Sequence, residues 1–189
     1  MVTTIKGMGH KHTKEEILQG ALAAAFDDGF SQLTFGRVAK RLGISDRIVV
    51  YYFPSKDDLV AEVLGAMGVE LQAALAPAFT APADDHRHLL RVVWPVLTAS
   101  GADPVFALFF EAGGMAAAGV EPYASVVPQM VETWIEWAST FVSGARAYRR
   151  AEAEAAIAMI DGLLLTRLLA GLELADRAAR RLGAIPRRG

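Results

Sequence analysis

Apolar residues recur along most of this chain at three- and four-residue spacing, which is the period of a helix. Ile17, Leu18, Ala21, Leu22, Ala25 and Phe26 form one such face, and Thr13 with Glu16 sets a capping box ahead of it. Gly29 closes this helix. A second follows Thr34 with Phe35, Val38, Ala39 and Leu42 turned inward, and Gly43 ends it. Ser45 then caps a third that reaches about Tyr52. Pro54 and Ser55 make a turn, and Ser55 with Asp58 forms a second capping box. It opens a fourth helix from about Lys56 to Leu75. Further breaks at 81–85, 101–104, 118–122 and 143–147 predict helices over roughly 86–100, 104–117, 122–142 and 148–182. Pro95 and Pro128 should kink two of these. The only β-like run, "RIVVYYF" at 47–53, is short and bounded by helix punctuation. The chain reads as all-α, with a compact N-terminal trio of helices and a larger helical bundle behind it. The expected division lies between residues 1–58 and 59–189.

Composition narrows the chemistry. With 53% hydrophobic residues among 189, the chain can bury a substantial core. The absence of cysteine excludes disulfides, thiolate metal sites and cysteine nucleophiles. The N-terminus lacks the apolar core of a signal peptide, and no apolar run spans a bilayer without polar interruption or glycine breaks. The expectation is therefore a cytoplasmic protein with no membrane partner. There is no Glu-x-x-His pair, no glycine-rich phosphate loop, and no nucleophile with a base beside it. Neither catalysis nor a cofactor is expected. His10 and His12 form an H-x-H pair without a third ligand, so no metal site is expected either. His86 and His88 read as solvated.

Charge is spread almost evenly. Residues 1–58 sum to +1 and the remainder to −3. Nucleic-acid binding would have to rest on a few placed cations and not on a broad basic field.

The stretch from Val38 to Leu59 pairs two short helices across a tight glycine turn. The second helix can project with its N-terminal end outward, and a helix so placed fits the major groove of B-DNA. Ser45, Asp46, Arg47 and Ile48 form its first turn. Arg47 can donate two bonds to guanine, and Ile48 or Val50 can touch a thymine methyl. Tyr52 and Lys56 follow, within reach of phosphates. Thr34 offers its hydroxyl and nearby amides to another phosphate. Lys6, Lys11 and Lys14 of the N-terminal arm can lie beside the DNA backbone. On this pattern alone, an ordinary helical hairpin with a surface arginine remains equally open.

The segment "TFGRVAKRLGISDRIVVYYFPSKDDLVAEVL" (34–64) resembles the DNA-binding signature of the TetR (tetracycline repressor) family. That signature has a threonine, an "IA..aGvs" core, a helix ending in "lYyhF", and a "sKeeL" start to the fourth helix. The match covers about residues 13–65; beyond them only the layout of helices agrees. The resemblance implies a helix-turn-helix head joined to a ligand-binding and dimerisation bundle. It also implies transcriptional repression relieved by a small molecule. It carries DNA contacts onto Thr34, Phe35, Gly36, Arg37, Asp46, Arg47, Ile48, Val50, Tyr52 and Lys56, with Ser45 at the helix start. Val50 stands where the family has a tyrosine, and Tyr52 where it has a histidine. Asp46 sets a carboxylate near phosphates, and Gly36 offers no side chain. Phe53 and Tyr51 are expected to pack inside.

Behind the head, the segment 151–174 is apolar on nearly all sides. Such a helix needs cover all round, and a second copy of the chain supplies it economically. The expected interface comprises Ile157, Ile160, Asp161, Leu164, Leu165 and Leu168, together with the preceding helix (Tyr123–Phe141). Asp161 is expected to pair with Arg167 or across the dimer. A homodimer in turn implies a palindromic site on double-stranded DNA. The middle of the chain gathers Trp94, Phe106, Phe109, Phe110, Met115, Met130, Trp134 and Trp137, with Thr98 and Glu111 as polar groups. This lining suits a hydrophobic ligand. The competing function is a helical ligand-binding protein that does not touch DNA.

Overall fold

The computed structural model describes residues 12–99 and 101–185. The expectations for Lys6, His10, Lys11 and the tail 186–189 lie outside the described residues. Among the described residues nine α-helices follow one another: α1 (Lys14–Asp28), α2 (Phe35–Leu42), α3 (Asp46–Tyr52), α4 (Lys56–Leu75), α5 (His86–Leu97), α6 (Asp103–Ala117), α7 (Tyr123–Ser139), α8 (Arg146–Ala170) and α9 (Leu172–Leu182). Among the described residues there is no strand, only an isolated bridge between Ala83 and Val142. The all-α class expected from the periodicity is the class observed.

Local chemistry sets the head. Thr13 and Glu16 close a capping box on α1, and Ser55 and Asp58 close one on α4. The Thr34 hydroxyl accepts from the Arg37 amide at the start of α2. Gly43 ends α2 in the left-handed region at φ 67°, where glycine carries no Cβ penalty. There Ile44 N–H donates to Ala39 and Gly43 N–H to Lys40, the double closure of a Schellman turn. Ser45 holds the N-cap position of α3, but its hydroxyl makes no capping bond, contrary to expectation. At Gly20 a Cβ would sit 2.8 Å from the Leu42 side chain, so α1 and α2 approach closely there.

The head's core is closed. Ile17, Phe30, Leu33, Val38, Val49 and Phe53 are fully buried. They join Leu59, Val60, Val63 and Leu64 of α4, and Leu108, Ala112, Tyr123 and Val127 of the bundle, in one cluster. The expected division at 58/59 thus falls in the first turn of α4, and packing runs across it. The stretch Lys56–Ala78 is long and apolar enough to cross a membrane by length and composition. Here its apolar residues enter two protein cores, and Glu62, Gly65, Gly68 and Glu70 interrupt it. A second cluster, including Leu75, Leu90, Val93, Trp94, Phe106, Leu163 and Leu164, fills the bundle.

The helix expected over 148–182 is two helices. Gly171 ends α8, and α9 turns away from it. A glycine in an apolar run satisfies a helical pattern as well as a break, which is why periodicity passed over it.

Candidate DNA-binding face and ligand cavity

Helix α3 stands on the head with Val49 buried beneath it and Ile48 half-buried against the core. Its outward face consists of Asp46, Arg47, Val50 and Tyr51, with Ser45 at the N-terminal end. Two expectations change here. Ile48 packs against the head and does not stand free. Tyr52 turns inward, where its hydroxyl donates to the His12 carbonyl at 2.9 Å. Tyr51, expected inside, is 78% exposed and meets Tyr52 edge-on at 4.9 Å. The outward phenol of α3 is therefore Tyr51. Successive residues on a helix diverge by roughly 100°, so one of the pair had to face out; the reach of the His12 carbonyl, distant in sequence, decides which.

Around α3, Thr34, Gly36, Arg37 and Lys56 are exposed and Phe35 is half-buried against the core. Not every cation is available. Arg37 bonds Asp28 at 2.8 Å and Gln32 at 3.1 Å, and Arg41 bonds Asp27 at 2.5 Å. Lys14 pairs with Glu62 and lies over the Phe53 ring. Lys40, Arg47 and Lys56 are exposed, and among the described residues no ion pair holds them. Lys40 was not singled out from the sequence. Its availability depends on which of its neighbours Asp27 and Asp28 neutralise.

Behind the head, α4, α5, α6, α7 and α8 enclose a cavity of about 100 Å³. Phe106, Phe109, Met130, Trp134 and Trp137 line it as expected, with Met67, Leu71, Phe79 and Leu89 among the rest of its wall. An outer cleft of about 210 Å³ between α4 and α7 shares Leu64, Gly68, Met130 and Trp134 with it. Five expected pocket residues lie elsewhere. Trp94 is buried in the bundle core, and Phe110 packs against that core. Thr98 spends its hydroxyl on the Trp94 carbonyl at 2.7 Å. Met115 packs against the head.

Glu111 is the fifth. Its carboxylate accepts the backbone N–H groups of Phe30 and Ser31, each at 3.0 Å. These are the first residues of a short 3-10 turn in the head (Phe30–Gln32), where unsatisfied amides favour an anion. Gly29 makes room for it, since a Cβ at that position would stand 2.8 Å from Glu111 Oε2. Beside it Tyr123 packs edge-on to Phe30 at 5.8 Å. Burial, with Glu111 and Asp57 nearby, pushes the Tyr123 phenol up to about 12.

The expected dimer face is also redistributed. Ile157, Ile160, Asp161 and Leu164 line the cavity, and Leu168 packs on the bundle core. Leu165 alone of the six faces out, at 39% exposure. A helix apolar all round does not reveal from sequence which side turns inward; here the neighbours of α8 take the Ile157–Leu164 side. Behind the head the exposed large apolar residues are Val69 on α4, Val120, Tyr148 on α8, and a run of leucines, Leu165, Leu169, Leu172, Leu174 and Leu182, at α8 and α9; none is on α7. Asp161 does not meet Arg167. That guanidinium bonds Asp103 at 2.7 Å and the Thr98 carbonyl at 3.2 Å. His86, expected in solvent, bonds Glu152 of α8 through Nδ1 at 2.6 Å. Among the described residues no group of His, Asp and Glu could hold a metal.

Residues 17–63 match the family model of bacterial regulatory proteins of the tetR family. In fold the chain is similar to a transcriptional regulator from Rhodococcus sp. Rha1, at 19% identity over 93% of this chain and 100% of that one, with a TM-score of 0.66. It is likewise similar to a TetR-family transcriptional regulator from Rhodococcus sp., at 18% identity over 90% and 95%, with a TM-score of 0.72. A third is a transcriptional regulator from Saccharomonospora viridis in complex with choline, at 21% identity over 89% and 92%, with a TM-score of 0.61. No curated protein matches the sequence.

Proposed function

This chain is a TetR-family transcriptional regulator, and from that premise we propose that it is a homodimeric repressor released from a palindromic operator by a hydrophobic small molecule. The observation that carries the DNA half is the exposed face of α3, where Arg47 stands beside Val50 and Tyr51 with no ion pair among the described residues. Arg47 reads a guanine edge, Val50 meets a thymine methyl, and Tyr51 with Lys40 and Lys56 holds phosphates. Ser45, with its hydroxyl unspent, adds a polar contact at the helix start. The exposed leucines of α8 and α9 form the two-fold interface, which sets two heads side by side in the cytoplasm.

Release follows from helices that serve both halves, α4 and α6 foremost. Helix α4 lends Leu59, Val60 and Val63 to the head core and Leu71 and Leu75 to the cavity wall. Helix α6 lends Phe106 and Phe109 to the cavity, and Glu111 to the head's Phe30–Ser31 amides. A ligand that spreads the cavity moves both, so ligand and DNA oppose each other by one coupling free energy. The Saccharomonospora viridis regulator's complex with choline supports a small-molecule effector in this fold.

Selection of bound sequences from random duplex DNA tests the reading. The expected result is an inverted repeat, with Arg47→Ala losing about a hundred- to ten-thousandfold in affinity, as two bidentate base contacts, one per head, carry. Absence of any enriched sequence at low salt would sink the DNA half and favour a ligand-binding protein that leaves DNA alone.

A further inference from the structure

Asp161 is a carboxylate set in a wall of hydrocarbon, aromatic rings and thioethers. No other residue of that wall is ionisable: α4, α5, α6 and α7 present only apolar side chains and the two indoles to the cavity. Among the described residues no hydrogen bond or ion pair reaches Asp161; the one arginine on its helix within a turn or two, Arg167, is held by Asp103 and the Thr98 carbonyl. Leaving a carboxylate uncompensated in such surroundings is costly, and the protein supplies nothing to offset it.

We propose that the cavity takes a lipophilic organic cation, a protonated amine or quaternary ammonium bearing an aromatic or branched alkyl group, with Asp161 as its counter-charge. The proposal rests on the ligand-binding reading above and narrows it to a chemical class. The ammonium lies near Asp161 with Trp134 and Trp137 beside it, since aromatic rings attract cations. The apolar part fills the space between Phe106, Phe109 and Met130. An anionic ligand would meet the carboxylate's repulsion. Burial raises the Asp161 carboxyl to about 6, which still leaves most of it ionised at neutral pH.

Two probes of the same shape test this: benzyltrimethylammonium and neopentylbenzene, in which carbon replaces the nitrogen and removes the charge. Binding to the full chain is read by quenching of tryptophan fluorescence and by calorimetry. An apolar cavity without a working counter-charge prefers the hydrocarbon. The expected result is that the wild-type chain binds the cation about tenfold more tightly or better. Asp161→Asn reverses that order while its hydrocarbon affinity holds. Equal or tighter wild-type binding of neopentylbenzene overturns the charge assignment and leaves the cavity reading standing. Failure of both probes overturns both. The wild-type comparison stands even if the variant folds poorly.

Discussion

The head and the bundle are built from the same helix-forming residues and organised in opposite ways. In the head three of the four helices carry a side-chain cap at the N-terminal end, and the core buries Phe30 and Phe53 fully. Helices α6 to α9 have no side-chain cap bond; α6, α7 and α8 help α4 and α5 surround a cavity, and α8 and α9 turn leucines outward, Leu169 to 78% exposure. On the proposed function the packed half would hold a reading helix at its angle to the groove, and the hollow half would yield when a ligand fills it.

The sharpest test of this contrast compares two phenylalanines. Phe53→Ala, in the closed head, is expected to cost about 3–5 kcal/mol in denaturant unfolding. Phe109→Ala, whose ring already borders empty space, should cost less than half of that. Equal losses would erase the distinction between a packed half and a yielding one.

Next comes pH. The folded-state value for Asp161, about 6, lies above its ordinary 3.8, so the folded chain holds that proton more tightly than the unfolded one. Between about pH 4 and 6 the folded state binds more protons. This group's contribution to stability therefore falls as pH rises through that window and is level on either side. Asp161→Asn should remove that slope and gain at most about 3 kcal/mol at neutral pH. A slope unchanged in the variant would assign it to other groups.

Glu111→Gln comes third. It weakens two charge-assisted bonds across the boundary, at about 1–3 kcal/mol. Operator affinity without ligand should barely change, while the ligand's power to lower it shrinks. A variant that keeps its full ligand response would take the Glu111 bonds out of the coupling and leave it to the apolar contacts of α4, α6 and α7 with the head.

The smallest effect concerns free cations. Lys40→Ala should reduce the slope of log affinity against log salt by about 2 per dimer, one phosphate per head. Arg41→Ala, whose guanidinium is spent on Asp27, should leave that slope nearly unchanged.

The same contrast explains what was legible in the sequence. Thr13 with Glu16, Ser55 with Asp58, and Gly43 are local signals, and each fixed a helix end in the head. The bundle's outcomes depend on groups far apart along the chain. Glu111 meets Phe30 and Ser31 some eighty positions away, Arg167 leaves Asp161 for Asp103, and the inward side of α8 depends on what packs against it. Even in the head, the exchange of roles between Tyr51 and Tyr52 depends on His12, forty positions earlier.

Gly29 carries a consequence for redesign. Its φ of 84° and ψ of 164° suit glycine alone, and the bare Cα is what admits the carboxylate of α6. Adding one methyl group there would prise the joint apart without touching either surface that meets a ligand or DNA. The product would be a deaf regulator, able to grip its site and to fill its cavity, with much of the conversation between the two cut off.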